Sequence, residues 1–181
     1  RLAQLGSDGV MLLMADSTNA VRKGFTPSER EVGISLGNIF RNTKSRIIIA
    51  TFSSNVHRVQ KIIELASETG RKVAVSGRTI ENMVSNAKEL GYLNVPAGTI
   101  IDLKQIKNYL DDQLVVITTG SQGEPMSALA RMANNEHKDV HIRENDVVIL
   151  SSSPVPGNEK TVSTVVNKLY EKGAEVIYSE I

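Results

Sequence analysis

The chain has 181 residues, of which 40% are hydrophobic and 23% charged, so it is globular and long enough to bury a core. Its 21 Lys and Arg against 20 Asp and Glu exclude nucleic-acid binding by bulk charge, although they leave room for a local basic groove. The absence of cysteine excludes disulfides and thiolate chemistry, and an aromatic content of 4% argues against base-stacking platforms.

Six short apolar runs predict β-strands. Most of them are continuous rather than alternating, which is typical of strands that are buried on both faces. Such strands occur in parallel sheets covered by helices. The runs are Val10–Ala15, Ile47–Phe52, Val73–Ser76, Leu114–Thr119, Val147–Ser152 and Glu175–Tyr178.

Five amphipathic segments between these runs predict helices. The first opens at Ser28, which forms a capping-box pattern with Glu31 three residues later. Three later segments end near Gly70, Gly91 and Gly173, and glycine is a typical C-terminal stop. The apolar stripes are Val32, Leu36, Ile39, Phe40; Val59, Ile62, Ile63, Ala66; Ile80, Met83, Val84, Ala87; Met126, Leu129, Ala130, Ala133; and Val162, Val165, Val166, Leu169.

The alternation of strands and helices predicts the fold class. We expect an α/β fold, a three-layer α/β/α sandwich with a mainly parallel sheet of the Rossmann-like or flavodoxin-like kind. The stretch Val21–Pro27 lacks periodicity, and a domain boundary is expected there. Because the chain opens at Arg1 without a methionine and stops directly after an apolar run, we expect it to be a piece of a larger protein.

Small polar residues follow most of the predicted strands at the point where each strand ends. Ligands of open parallel sheets bind at this edge, where hydroxyls and helix N–H groups donate to phosphate oxygens and arginines bind them bidentately. We therefore predict an anionic, backbone-like ligand at this edge. The candidate residues are Ser53, Ser54, Asn55, His57, Arg58, Arg78, Ser121, Gln122, Glu124, Ser152, Ser153 and Asn158.

The charges are unevenly distributed along the chain. Residues 22–58 hold seven basic and two acidic residues, whereas residues 102–146 hold five basic and eight acidic ones. The near-zero total therefore conceals a dipolar chain, and a basic stretch includes the end of the second predicted strand.

Each of these residues also has a structural interpretation. Serine, threonine, asparagine and glycine at strand ends form turns and helix caps, and His57 is equally a first-turn helix residue. Gly120–Gly123 lacks the Gly-Lys-Ser/Thr ending of a P-loop. His137 and His141 have the spacing of a metal pair on a helix, but no third ligand lies nearby in the sequence, so we predict no metal site.

Asp16 stands out because it directly follows the first apolar run and precedes Ser17. A carboxylate at the carboxyl end of a strand orients a catalytic group, binds a metal or caps a turn, and the residues alone leave these roles open.

Five motifs together resemble a known family. The run Leu13–Ala20 resembles the acidic motif of the β-CASP metallo-β-lactamase nucleases. Four further runs are similar to motifs of the β-CASP domain of bacterial ribonuclease J, and they follow one another in the same order over almost the whole chain. These runs are Ile48–Arg58, Val75–Thr79, Thr119–Met126 and Ser151–Asn158.

The resemblance implies a fragment of a zinc-dependent ribonuclease with 5′-to-3′ exonuclease and endonuclease action. Residues 1–20 would be a remnant of the metallo-β-lactamase domain, and residues 21–181 the β-CASP domain, which covers the active site and binds RNA through the strand-end residues. Asp16 would orient a histidine outside the chain. The family's zinc ligands have no counterpart in this sequence, so the resemblance implies that the fragment binds no zinc and is inactive alone.

The resemblance also implies a cytoplasmic enzyme with RNA as its substrate, no membrane association, a homo-oligomeric full-length form and RNA-decay proteins as partners. Two other hypotheses compete with it. The chain would be a separate α/β module that binds a small phosphorylated ligand, or it would mainly build an oligomer interface. Saturable nucleotide binding by the isolated chain would favour the first of these, and sedimentation would test the second.

Overall fold

The computed structural model describes residues 1–17, 20–21, 23–25 and 28–178. A short helix, α1 (Leu2–Asp8), is followed by a segment without regular structure whose described residues are all exposed. The predicted strand Val10–Ala15 lies in this segment, with Met11 102% and Leu13 81% exposed. A strand needs a neighbour for its backbone hydrogen bonds, and no described strand pairs with this run. The prediction of a strand here is therefore wrong for this chain.

Within the described residues, five parallel strands form one sheet in the order β2-β3-β1-β4-β5. In the central strand, Ile47 is in register with Val115 on one side and with Val147 on the other. The other five predicted strands and the α/β fold with a parallel sheet are confirmed. The strands are β1 (Ile47–Ala50), β2 (Lys72–Ser76), β3 (Leu114–Thr118), β4 (Val147–Leu150) and β5 (Glu175–Tyr178).

Helices cover both faces of the sheet. One face carries α2 (Glu29–Asn42), α3 (Val56–Glu68) and α4 (Arg78–Glu89). The other carries α5 (Ala128–Ala133), α6 (Glu159–Glu171) and the 3₁₀ turn Leu103–Asn108, and a second such turn, Asp111–Gln113, leads into β3. Every helix in the described part of the chain is too short or too polar to span a bilayer.

Each strand of the centre serves two cores. Ile47 and Ile49 of β1 pack with α2, α3 and α4, whereas Ile48 and Ala50 pack with α5 and α6. Because neighbouring side chains point to opposite faces and both faces are buried, the strand must be apolar throughout. This explains why the continuous runs predicted the strands correctly.

Local sequence explains where the helices begin. The Ser28 hydroxyl accepts the N–H of Glu31 (3.4 Å) and caps α2, as the capping pattern predicts. The fourth helix differs from the prediction, because Met126 is 85% exposed and lies before it. The helix starts only at Ala128, where Ser127 accepts the N–H of Ala130 (3.3 Å). The cap therefore excludes Met126 from the predicted stripe.

Buried polar groups fix the amino ends of the strands. Arg46, directly before β1, forms a buried ion pair with Asp146, directly before β4 (Nη2 to Oδ2, 2.6 Å). Arg71, before β2, is also buried and donates to the carbonyl oxygens of Ser45 (3.0 Å) and Leu114 (3.3 Å). Burial lowers the pKa of the Arg71 guanidinium. These arginines hold the protein together from inside.

Candidate nucleic-acid interface

Four connections leave the sheet at its carboxyl edge. They are residues 51–55 after β1, residue 77 after β2, residues 119–127 after β3 and residues 151–158 after β4. The chain leaves β1 toward α3 on one face, whereas it leaves the neighbours β3 and β4 toward α5 and α6 on the other. Ligands of open α/β sheets bind in the crevice where neighbouring connections diverge in this way. This edge is therefore the candidate interface.

Arg58 is the best-anchored side chain at this edge. It lies in the first turn of α3 and is only 7% exposed. Its Nε and Nη2 donate to the two carboxylate oxygens of Glu29 (2.7 and 2.8 Å). Its Nη1 donates to the carbonyl oxygen (2.6 Å) and the hydroxyl of Ser151. Arg58 thus joins α2, α3 and the end of β4. Direct contact of Arg58 with RNA stays a prediction that this geometry does not favour.

Glu29 completes this anchor from the start of α2. Its hydrogen bonds from Arg58 hold the pKa of the carboxyl below its usual range, against the opposing effect of partial burial. Glu29 Oε1 also accepts from the amide of Asn55 (3.2 Å), whose own Oδ1 caps α3 by accepting the N–H of Arg58 (3.0 Å). Asn55 therefore acts as a helix cap here, and its predicted RNA contact stays a prediction.

Gln122 joins the connections after β3 and β4. Its Nε2 donates to the Ser152 hydroxyl (3.0 Å) and the Ser153 carbonyl (3.1 Å). Its Oε1 accepts from the N–H of Val155 (2.7 Å) and the amide of Asn158 (3.3 Å). The side chain is 5% exposed, so it is an internal link between the two loops.

The other predicted residues divide by exposure. Ser121 is buried, so its side chain does not reach the surface in this conformation. Ser53, Ser152 and Asn158 are half-buried in the loops after β1 and β4. The side chains that the structure leaves accessible at this edge are Ser54, His57, Arg78, Glu124 and Ser153.

Arg78 lies beside a cavity of about 590 Å³ at the ends of β2 and β3. It is exposed in the first turn of α4, and it forms no ion pair within the described part of the chain. Arg131 and Lys138 line the same cavity, together with the carboxylates of Glu81 and Glu124. These two carboxylates accept the N–H groups of Gly77 (2.9 Å) and Gln122 (3.2 Å). Arg78 thus keeps its guanidinium available to a ligand.

His137 forms part of the wall of this cavity and is buried. Its Nδ1 accepts the N–H groups of Asp139 (3.2 Å) and Val140 (3.1 Å), so Nδ1 carries no proton and Nε2 donates to the Ser76 hydroxyl (2.8 Å). Residues 137–141 are irregular rather than helical, and the ring nitrogens are both used, so the helical metal-pair spacing with His141 is not realised.

The buried imidazole of His137 predicts a pH-dependent stability. Burial lowers the pKa of His137 below its usual 6.5, so the unfolded chain binds the proton more readily below that pH. The free energy of unfolding should therefore be greatest above pH 6.5 and fall at lower pH, by at most about 1.4 kcal/mol per pH unit for one proton. Urea titrations between pH 7.5 and 5.5 measure this loss. The His137→Asn variant should lose part of the slope, and an unchanged slope would contradict the assignment.

A comparison with known families decides what this fold is. The model of the family described as "Ribonuclease J, beta-CASP domain" matches residues 44–169, which include all the strands but the last. The chain belongs to the ribonuclease J β-CASP domain family. The family resemblance in the strand-end motifs is thereby confirmed.

Relatives of this ribonuclease J β-CASP domain are longer than the chain. It is 46% identical to "Ribonuclease J" of Helicobacter pylori (strain ATCC 700392 / 26695) over 99% of the chain and 26% of that protein. It is 46% identical to "Ribonuclease J 1" of Streptococcus pyogenes serotype M3 over 100% of the chain, and 41% identical to "Ribonuclease J2" of Bacillus subtilis (strain 168) over 99%. The chain spans 32% of each of these two. It therefore corresponds to a portion of ribonuclease J.

Three residues of this ribonuclease J domain were missed at the sequence level. Glu29 was taken only as part of a helix start, although it anchors Arg58. Ser76 ends β2 and holds His137. Thr51, at the end of the central strand, is 2% exposed, and its hydroxyl has no hydrogen-bond partner among the described residues. Only Thr51 carried a signal, because it directly follows the run Ile47–Ala50.

The described residues do not fit the metal centre that the family resemblance implies. No group of three or more His, Asp or Glu side chains that could hold a metal ion occurs among them. Asp16, the predicted catalytic residue, lies in the exposed amino-terminal segment. Its role depends on a histidine outside the chain and stays a prediction.

Proposed function

We propose that this chain is the RNA-binding cover of a ribonuclease J-type enzyme. The observation that carries the proposal is the match to the β-CASP family model over a fold whose strand-end loops all meet at one edge. Residues 21–181 are assigned to the β-CASP domain and residues 1–20 to the adjoining metallo-β-lactamase domain. The substrate is RNA, bound by its backbone at the carboxyl edge.

The chemistry of the edge supports binding of a phosphodiester backbone. Three helices of twelve or more residues, α3, α4 and α6, begin there, and their amino-terminal dipoles favour negative charge. Arg78 supplies an accessible guanidinium, and Ser54 and His57 add donors beside the central strand. None of these contacts reads a base edge by its nature, so binding is expected to be independent of sequence.

Hydrolysis requires parts of the enzyme beyond this portion. We propose zinc as the cofactor of the full-length enzyme, held by residues other than those described here, and Asp16 as the residue that orients one of its histidines. The chain alone binds RNA without cleaving it. The full-length enzyme is proposed to be a cytoplasmic homo-oligomer that works with other RNA-decay proteins.

The test is RNA binding by the 181-residue chain. We expect a fluorescently labelled single-stranded RNA to bind, with affinity that falls as salt rises, and the recovered RNA to be intact. Replacing Arg78 with alanine should weaken binding and reduce the slope of log K against log salt by about 0.7, the value for one phosphate contact on a single strand.

The matched control is Arg143→Ala, which removes an equally exposed arginine that is paired with Asp111 (2.6 Å). It should leave the RNA affinity close to that of the unaltered chain. Equal losses for Arg78→Ala and Arg143→Ala would contradict a localised site. RNA cleavage that persists in the presence of a chelator, with contaminating nucleases excluded, would contradict the role as a non-catalytic cover.

The cavity beside Arg78 favours one alternative, a small phosphorylated ligand. Its volume of about 590 Å³ lies in the range of small-molecule sites. If this is the function, a mononucleotide should bind saturably and short RNA should not bind more tightly than the mononucleotide. The RNA proposal predicts that affinity grows with RNA length.

A further inference from the structure

Gln122 is saturated by contacts within the protein. An amide side chain has two N–H donors and one oxygen with two lone pairs. Both donors are used on Ser152 and Ser153, and the oxygen accepts from Val155 and Asn158. No part of this amide remains for a ligand unless one of these bonds breaks.

We propose that Gln122 is a positioning residue that holds the loop 151–158 in the conformation that binds RNA, without itself contacting RNA. This inference rests on the proposed function. It differs from the sequence-based prediction, in which Gln122 binds RNA directly.

The loop depends on Gln122 for its shape. Ser151 is anchored by Arg58 and by an N–H bond to Ala50 (2.9 Å), and Asn158 leads directly into α6. Between these ends, Gln122 contacts Ser152, Ser153 and Val155 by hydrogen bonds. The outer residues of the loop, 153 and 155–157, are exposed. The loop therefore has an inner side fixed by Gln122 and an outer side open to a ligand.

Gln122 is itself held firmly from its backbone. Its N–H donates to the carboxylate of Glu124 (3.2 Å), and its carbonyl oxygen accepts from the hydroxyl of Thr161 in α6 (3.1 Å). The next residue, Gly123, has φ +71° and packs directly on the backbone of Thr161. A side chain fixed in this way transmits the position of β3 and α6 to the loop.

The experiment compares Gln122→Met with the unaltered chain. Methionine is close in length to glutamine but makes none of the four hydrogen bonds. We expect the variant to fold, to bind single-stranded RNA about five- to tenfold more weakly and to show a slope of log K against log salt that is smaller by about 0.7. The slope separates positioning from a purely structural role, since reduced stability in a folded protein leaves the number of phosphate contacts unchanged.

The matched control is Gln105→Met, which removes an exposed amide that accepts the N–H of Asp102 (3.1 Å) in another turn. Its RNA affinity and slope should equal those of the unaltered chain. If the unaltered chain binds RNA and Gln122→Met binds with the same affinity and slope, the positioning role is refuted while the proposed function stands. If the unaltered chain binds no RNA, the proposed function fails first.

A second measurement needs no variant. The N–H of Val155 lies in an exposed residue but donates to Gln122 Oε1 (2.7 Å). Its hydrogen exchange in the unaltered chain should be slow compared with that of the exposed Gly157. Exchange of Val155 as fast as an unstructured amide would overturn the proposal even if Gln122→Met fails to fold.

Discussion

Replacing Gly123 with alanine should destabilise the domain by about 2–5 kcal/mol, the sum expected for a left-handed backbone and a clash in a packed region. Gly123 has φ +71°, and a β-carbon there would lie 2.5 Å from the carbonyl carbon of Thr161 and 2.6 Å from the nitrogen of Val162. These atoms belong to the backbone of α6 and cannot move aside as a flexible side chain would. Either α6 or the loop after β3 must therefore shift.

Gly70 provides the matched control for this prediction. It has the same φ of +71°, but a β-carbon there meets nothing within 4 Å. Gly70→Ala should therefore cost only about 1–2 kcal/mol, the cost of the backbone conformation alone. Urea unfolding followed by circular dichroism measures both variants. Equal losses would show that the close approach of Gly123 to α6 contributes nothing.

Replacing Asp146 with alanine should cost about 3–5 kcal/mol, as expected when one partner of a buried ion pair is removed. The side chains of Arg46 and Asp146 are only 4% and 3% exposed. Asp146 receives Nε of Arg46 on Oδ1 (3.0 Å), and Oδ2 also accepts the N–H of Arg143 (2.7 Å). Its loss leaves the Arg46 charge buried without a counter-ion and frees the turn that leads into β4.

The control for Asp146 is Asp111, whose ion pair with Arg143 is also 2.6 Å long but about half exposed. Asp111→Ala should cost at most about 1 kcal/mol, because exposed ion pairs contribute little. The two variants are compared by their free energies of unfolding at pH 7. A loss of 1 kcal/mol or less for Asp146→Ala would mean that water reaches Arg46 and that the pair is not part of the core.

The sheet could be predicted from the sequence to a large extent because its strands are buried on both faces. The runs at Ile47, Leu114 and Val147 are apolar throughout, and each is a strand of the sheet. The same pattern failed at Val10, since an apolar run indicates burial but does not say against what. A strand at Val10–Ala15 would need a neighbour that the described residues do not contain.

The site was harder to predict because its contacts join residues far apart in the sequence. The strand-end position of Arg58 indicated a phosphate ligand, but Glu29, 29 residues earlier, occupies its guanidinium. Gln122 likewise depends on a loop that lies 30 or more residues later. Arg78, by contrast, is exposed where the pattern placed it, because it opens a helix whose first turn faces outward. Sequence patterns located the edge but not which side chains are free to act.

The central claim is that RNA binds at the carboxyl edge of the sheet, and amide chemical-shift mapping of the labelled 181-residue chain with a short single-stranded RNA tests it most directly. We predict that the shifts concentrate in residues 51–58, 76–79, 119–124 and 151–158, and that the amino edge around Arg46 and Arg71 stays unchanged. Shifts centred on the amino edge, or no shifts at saturating RNA, would contradict the account.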